Sequence, residues 1–269
     1  MPYLDLNNER IYYALYRGRM IGGRPILLIH GAGENHLVWP AGLRRLPDTA
    51  VYAIDLPGHG RSGGAGRRTI ADYAEWVAGF LDAIGSNQAV IVGRSMGGAI
   101  AQQFGLAHPD RATGLILIAT GAKLRVTPKI LELTHTDLRA AADLISGYEW
   151  GPHAPEQLIR LGKQQLLSNR TEVIHGDYRA CDAFDVSDRL AEIKAPTLII
   201  CGTADRMTPP KYAAFMAERI PQTRSVLVPD AGHMVMLEAE SIVAREVEAF
   251  VRELDKANGG HRAAETQSR

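Results

Sequence analysis

The sequence predicts a doubly wound α/β fold: a mostly parallel, eight-stranded sheet with helices on both faces and an inserted helical cap. Three observations carry this. Short apolar runs recur along the chain, continuous rather than alternating, as in strands buried on both faces. Longer segments with helical spacing lie between them, and strand–helix alternation of this kind builds a doubly wound sheet. The alternation then stops between about Lys123 and Asp188, where only helical patterns occur.

Taken in order, Tyr3–Leu6 and Ile11–Tyr16 flank Asn7-Asn8, which reads as a hairpin turn. The apolar runs follow as Ile26–Ile29, Val51–Ile54, Ala89–Val92, Leu115–Ala119, Leu198–Ile200 and Ser225–Val228. Ile70, Tyr73, Ala74, Val77, Phe80, Leu81 and Ile84 share one helix face. Ala99, Ile100, Gln103, Phe104 and Ala107 form a second face, and Val243, Val247, Phe250, Val251 and Leu254 a third. Gly63-Gly64-Ala65-Gly66 reads as a flexible loop. Helical patterns at Ile130–Ile145 and Ala154–Leu167, punctuated by Pro128, Pro152 and Pro155, predict a cap over the sheet edge where such folds bind ligands. The expected organisation is core 1–122, cap 123–188, core 189–256, and a polar tail 257–269 predicted to be disordered.

Composition excludes several functions. Lys+Arg and Asp+Glu both number 30, so no net charge grips nucleic acid or an acidic membrane. Cys181 and Cys201 fit neither a metal spacing nor a disulfide framework and read as reduced thiols. MPYLDLNNERIYY has no basic start followed by an apolar run, so it does not read as a signal peptide. No apolar run approaches the roughly 20 residues of a membrane span. The expectation is a cytoplasmic monomer or homodimer acting on a small molecule.

Gly93-Arg94-Ser95-Met96-Gly97 matches G-x-S-x-G where a strand must turn sharply into a helix. The plainer reading is a tight turn with an incidental serine. A reactive serine needs a base, and His233, in Pro229-Asp230-Ala231-Gly232-His233, follows a predicted strand onto the same sheet edge. A surface-loop histidine is its plainer reading. Asp205 ends the next-to-last strand in Cys201-Gly202-Thr203-Ala204-Asp205 and would fix the imidazole. Asp230 is the rival, too close in sequence to His233 and better suited to shaping that turn. His30-Gly31-Ala32-Gly33 follows the first buried strand, so the backbone N–H groups of Ala32 and Met96 would hold an oxyanion. Four such features on four strand ends disfavour coincidence.

Together these residues resemble the α/β-hydrolase superfamily over roughly Tyr12 to Leu254. Asp55-Leu56-Pro57-Gly58-His59-Gly60-Arg61-Ser62 is similar to the family's structural loop after the fourth strand. Ala231-Gly232-His233, with Leu237-Glu238, is similar to its histidine loop. The resemblance implies Ser95 as nucleophile, His233 as general base and acid, Asp205 as orienting carboxylate, and His30 as a support for the oxyanion loop. It implies no metal and no organic cofactor. Serine at the nucleophile position disfavours the aspartate-dependent dehalogenases and epoxide hydrolases of this fold. Met234, where the family's C–C hydrolases carry tryptophan, weakens that reading. Arg160, Arg170 or Arg179 of the cap would suit a carboxylate-bearing substrate, although a solvated helix face is the plainer reading of each. Leu37, Val38, Trp39 and Met234 are expected to line the substrate pocket. The function implied is hydrolysis of a small to medium carboxylic ester through an acyl-enzyme. The alternatives are C–C, lactone or thioester hydrolysis by the same triad, and, in another class, a ligand receptor or signalling protein with slow turnover.

Overall fold

The computed structural model describes residues 3–17 and 24–266, with only the backbone described for 257–266. Strands β1 (Tyr3–Leu6) and β2 (Glu9–Arg17) form an antiparallel hairpin. Its turn residues Asn7 and Asn8 have φ of 53° and 64°, the left-handed pair that a two-residue hairpin loop requires. Next come β3 (Ile26–Ile29), helix α1 (Ala41–Arg44), β4 (Ala50–Ile54), α2 (Ile70–Ala83), β5 (Ala89–Arg94), α3 (Met96–Ala107) and β6 (Ala112–Ile118). The insertion expected to form a cap holds four helices, α4 (Pro128–Thr136), α5 (Leu138–Glu149), α6 (Glu156–Leu167) and α7 (Thr171–Ala183). The chain closes with β7 (Thr197–Gly202), α8 (Pro210–Ala217), β8 (Thr223–Val228), α9 (Val235–Glu238) and α10 (Glu240–Thr266).

The eight strands order as β1-β2-β4-β3-β5-β6-β7-β8, and every pairing from β4 through β8 is parallel. Side chains of β3 alternate between two cores. Leu27 and Ile29 belong to the core that also holds residues of α2, α3 and α8, while Ile26 and Leu28 belong to the one that holds residues of α1, α9 and α10. That two-sided burial explains the continuous apolar runs, and each such side chain contributes roughly 1.5–3 kcal/mol. Helix α2 starts at Thr69 because its hydroxyl accepts the Asp72 N–H at 3.0 Å. β8 departs from the expected two-sided burial. It has only β7 beside it, its burial alternates, and Leu227 is 51% exposed.

The cap also differs in detail. The pattern Ile130–Ile145 is two helices, because Asp137 caps α5 by accepting the Ala140 N–H and so restarts the chain after α4. Ile130, Ala141, Ile145, Leu166, Ile174 and Tyr178 give the cap its own apolar cluster. A β-bridge and an ion pair between Lys123 and Asp185 close its neck. The tail expected to be disordered from Ala257 instead continues α10 to Thr266, since extending a packed helix avoids the cost of a new nucleus. Residues 267–269 lie outside the described residues. Among the described residues no helix is long and apolar enough to cross a membrane.

Candidate active site

β5 delivers Ser95 to a sharp elbow. Its φ of 53° and ψ of −116° lie in a region costly for any residue with a side chain, about 1–3 kcal/mol. Two contacts hold it there: the Ser95 N–H donates to the Ile118 carbonyl at 3.0 Å, and the Thr120 hydroxyl donates to the Ser95 carbonyl at 2.8 Å. The flanking glycines are sterically required. A Cβ on Gly93 would lie 2.0 Å from the Gly97 carbonyl oxygen, and one on Gly97 would lie 2.0 Å from that of Ile29.

Asp205 and His233 come from the loops after β7 and β8, on the same sheet edge. The structure brings all three predicted residues together. His233 Nε2 is 3.0 Å from Ser95 Oγ, and His233 Nδ1 is 2.8 Å from Asp205 Oδ2. Asp205 is acceptor-only when ionised, so Nδ1 carries the proton and Nε2 is left to accept from the serine hydroxyl. Asp205 also accepts the N–H groups of Met207 and Thr208 and the Thr208 hydroxyl, at 2.8–2.9 Å. Burial alone would raise its pKa, but the His233 charge and these hydrogen bonds outweigh burial and hold it below the usual carboxylate range. Asp230 sits instead on an exposed turn with φ 56°.

Ala32 follows β3 beside Ser95, and Met96 is the first residue of α3. Among the described residues neither backbone N–H has a hydrogen-bond partner. The loop around Ala32 is held tightly. His30 Nδ1 donates to the Gly31 carbonyl at 2.8 Å and Nε2 accepts the Leu56 N–H at 3.1 Å, which defines a neutral ring. Burial, helped by nearby His59, pushes the His30 pKa down to about 4. The Gly31 N–H donates to Glu34 Oε2 at 2.7 Å, and the Gly33 N–H donates to Asp177 Oδ2 of α7 at 2.9 Å. Asp177 is fully buried and also receives the Tyr73 hydroxyl and His59 Nε2, at 2.8 and 2.7 Å. The loop from Asp55 to Ser62 is fixed by Asp55, which accepts the backbone N–H groups of His36 and Arg61 at 2.7 and 2.9 Å.

A cavity of about 50 Å³ opens beside Ser95, lined by Ala32, Leu124, Val126, Tyr178 and Met207 among others. The expected pocket residues do not line it. Leu37, Val38 and Met234 line a neighbouring groove of about 150 Å³ that shares Ala32 and Glu149 with the cavity. Trp39 is fully buried in the core. The reason is local: Asn35 accepts the Leu37 N–H and starts a 3-10 turn at His36–Val38, which swings Trp39 inward. Arg160, Arg170 and Arg179 are exposed and line neither space. Cys181 and Cys201 are buried free thiols, Cys181 at the cavity wall, and burial pushes the Cys201 pKa up to about 12.

Sequence reasoning missed Glu34, Glu149, Asp177 and Thr208. Asp177 left a signal: it shares the buried face of α7 with Val173, Ile174, Tyr178 and Cys181, a lone carboxylate in an apolar stripe. Glu149 depends on partners far away in the chain, and Glu34 and Thr208, although they also bond Gly31 and Asp205 three residues away, stand in no pattern that singles them out.

A model of the alpha/beta hydrolase family matches residues 26–246. The pimeloyl-(acyl-carrier protein) methyl ester esterase of Yersinia enterocolitica is 30% identical over 228 residues, 79% of this chain and 87% of that protein. The enol-lactonase of Burkholderia xenovorans superposes with a TM-score of 0.87 at 25% identity, over 93% of this chain and 100% of that one. A thermophilic esterase from Thermogutta terrifontis superposes at 0.82 with 27% identity, over 94% of this chain and 98% of that one.

Proposed function

The chain belongs to the alpha/beta hydrolase family, and on that premise we propose that it hydrolyses small to medium carboxylic esters through a serine acyl-enzyme. The observation that carries this reading is the unbroken relay from Asp205 through His233 to Ser95, at 2.8 and 3.0 Å, at a strained elbow. His233 Nε2 takes the Ser95 proton as Oγ attacks the ester carbonyl. The Ala32 and Met96 N–H groups receive the oxyanion, a donor pair of the kind worth about 3 kcal/mol each in the transition state. Protonated His233 gives its proton to the departing alkoxide. Water, deprotonated by the same ring, then frees the acid and restores Ser95. The 50 Å³ cavity suits a short group at the reacting carbon, and the adjoining apolar groove suits the longer arm of the ester.

A lactone substrate is the second reading, supported by the likeness to an enol-lactonase. It uses the same relay, with the leaving alkoxide tethered to the acyl group. The test is a panel of p-nitrophenyl acyl esters of increasing chain length beside a lactone panel, with Ser95→Ala as control. Turnover at least about 10³-fold above the variant on an ester is expected. Wild-type rates equal to those of Ser95→Ala on every substrate would sink the hydrolase reading. Lactone turnover with no ester turnover would select the second.

A further inference from the structure

The hydrolytic scheme leaves Arg94 unused, although it is the residue immediately before the nucleophile. It closes β5 and is 2% exposed. A guanidinium does not exchange protons in hydrolysis, because it stays charged throughout. Its partners show what it touches instead. Nη1 donates to Glu34 Oε1 at 2.6 Å, and Nη2 lies 3.7 Å from Glu149 Oε1. The other oxygen of Glu34 accepts the Gly31 N–H. Glu149 ends the cap helix α5, and its main-chain carbonyl accepts the His233 N–H at 2.7 Å. Arg94 also contacts the Met234 sulfur. One side chain therefore reaches the oxyanion loop, the cap and the histidine loop.

This is a costly way to fill space. Arg94 Nε is buried with no partner. Burial works against the guanidinium's charge, and the Glu34 and Glu149 carboxylates outweigh it. Buried ion clusters stabilise a fold no better than apolar residues of similar volume. An incompletely satisfied cluster beside a nucleophile calls for an account beyond stability.

The oxyanion loop supplies one. The orientation of the Ala32 N–H is set by the Gly31–Ala32 peptide. Its two neighbours are clamped by carboxylates, Gly31 by Glu34 and Gly33 by Asp177. Asp177 has its own donors in Tyr73 and His59. Glu34 has Arg94. Without the guanidinium, Glu34 would be an uncompensated buried anion close to where negative charge develops on the substrate. Both its position and its field would then oppose the transition state. We propose that Arg94 is a positioning residue: by fixing Glu34 and Glu149 it aims the Ala32 N–H and the His233 ring at the reacting centre, and so ties turnover to the seating of the cap.

This rests on the serine-hydrolase reading, so the experiment separates the two. In wild type, Arg94→Met, Arg94→Lys, Glu34→Gln and the Arg94→Met/Glu34→Gln pair, the rate of Ser95 labelling by a fluorophosphonate is followed and the reactive sites are titrated in one portion, and kcat and KM are measured per titrated site in a second, unlabelled portion on the best p-nitrophenyl ester. Arg94→Met is expected to lower labelling rate and kcat by about 10²-fold, the scale of a 1 Å misplacement, with KM changed much less. Arg94→Lys recovers part, because one ammonium satisfies Glu34 without the second arm toward Glu149. Glu34→Gln adds little to Arg94→Met, as expected of one coupled unit. Wild-type labelling rate and kcat in folded Arg94→Met overturn the inference. If that variant does not fold, wild-type values in Glu34→Gln overturn it, and a loss of kcat with KM retained supports it. A wild-type protein that fails to label at Ser95 overturns the hydrolase reading, and this inference with it.

Discussion

Thr208 flanks the direct contact between the carboxylate and the imidazole. Its hydroxyl donates to Asp205 Oδ2 at 2.8 Å and lies 3.1 Å from His233 Nδ1. Thr208→Val keeps the shape and removes that donor. A hydrogen bond to a charged carboxylate, at the low end of about 1.5 kcal/mol, predicts a fall in kcat of about tenfold. Steady-state kinetics on the best ester checks it, and an unchanged kcat would mean that the backbone donors alone hold Asp205. At this scale the sequence was most legible where chemistry and position coincide. Ser95, Asp205, His233 and Ala32 each follow an apolar strand, so one rule put all four on a common edge. Trp39 shows where the rule stops. Its placement depends on a 3-10 turn begun by Asn35, and no spacing in His36-Leu37-Val38-Trp39 distinguishes an inward from an outward ring.

Among the elements, α7 joins cap to core through one buried carboxylate. Asp177 accepts from Gly33, Tyr73 and His59, all in the core. Burial alone would lower the His59 pKa, and the Asp177 charge and hydrogen bond reverse this and raise it. A histidine raised on folding contributes stability that is complete below its unfolded value near 6.5 and lost as pH rises through its folded value. Asp177→Asn is therefore expected to cost about 3 kcal/mol at neutral pH, the scale of a broken buried pair, and to abolish this alkaline decline. Urea unfolding across pH checks both; a variant as stable as wild type would remove the latch from the account. The cap helices were only partly legible. Asp137 can continue a helix or cap the next one, and the choice is made by how α4 and α5 pack on their shared cluster.

Across the molecule, the His30 and His59 rings lie 4.9 Å apart, tilted at 54° to each other, but respond to pH in opposite senses. His30 is held neutral, its pKa pushed down to about 4 by burial and by His59. The unfolded chain binds that proton below about 6.5, so stability falls as pH drops from there toward 4, by about 3 kcal/mol in total. Melting temperature against pH, with the His30 ring followed by NMR, checks this; a ring titrating near 6.5 would refute it. The sheet was legible as a whole because burial on both faces writes itself as continuous apolar runs. β8 was legible as a strand but not as an edge, since its solvated side carries Leu227, which reads as core.

The order in which the strands are synthesised has a consequence of its own. β6 pairs with β7 only after the entire cap has emerged, and that pairing brings in Asp205, with His233 following later still. Parallel partners so distant along the chain close slowly. A growing chain that has just completed α7 thus possesses the serine and its glycines but neither the carboxylate nor the imidazole. On the proposed mechanism the hydroxyl remains an ordinary alcohol during translation, and becomes reactive only when the final strands have docked.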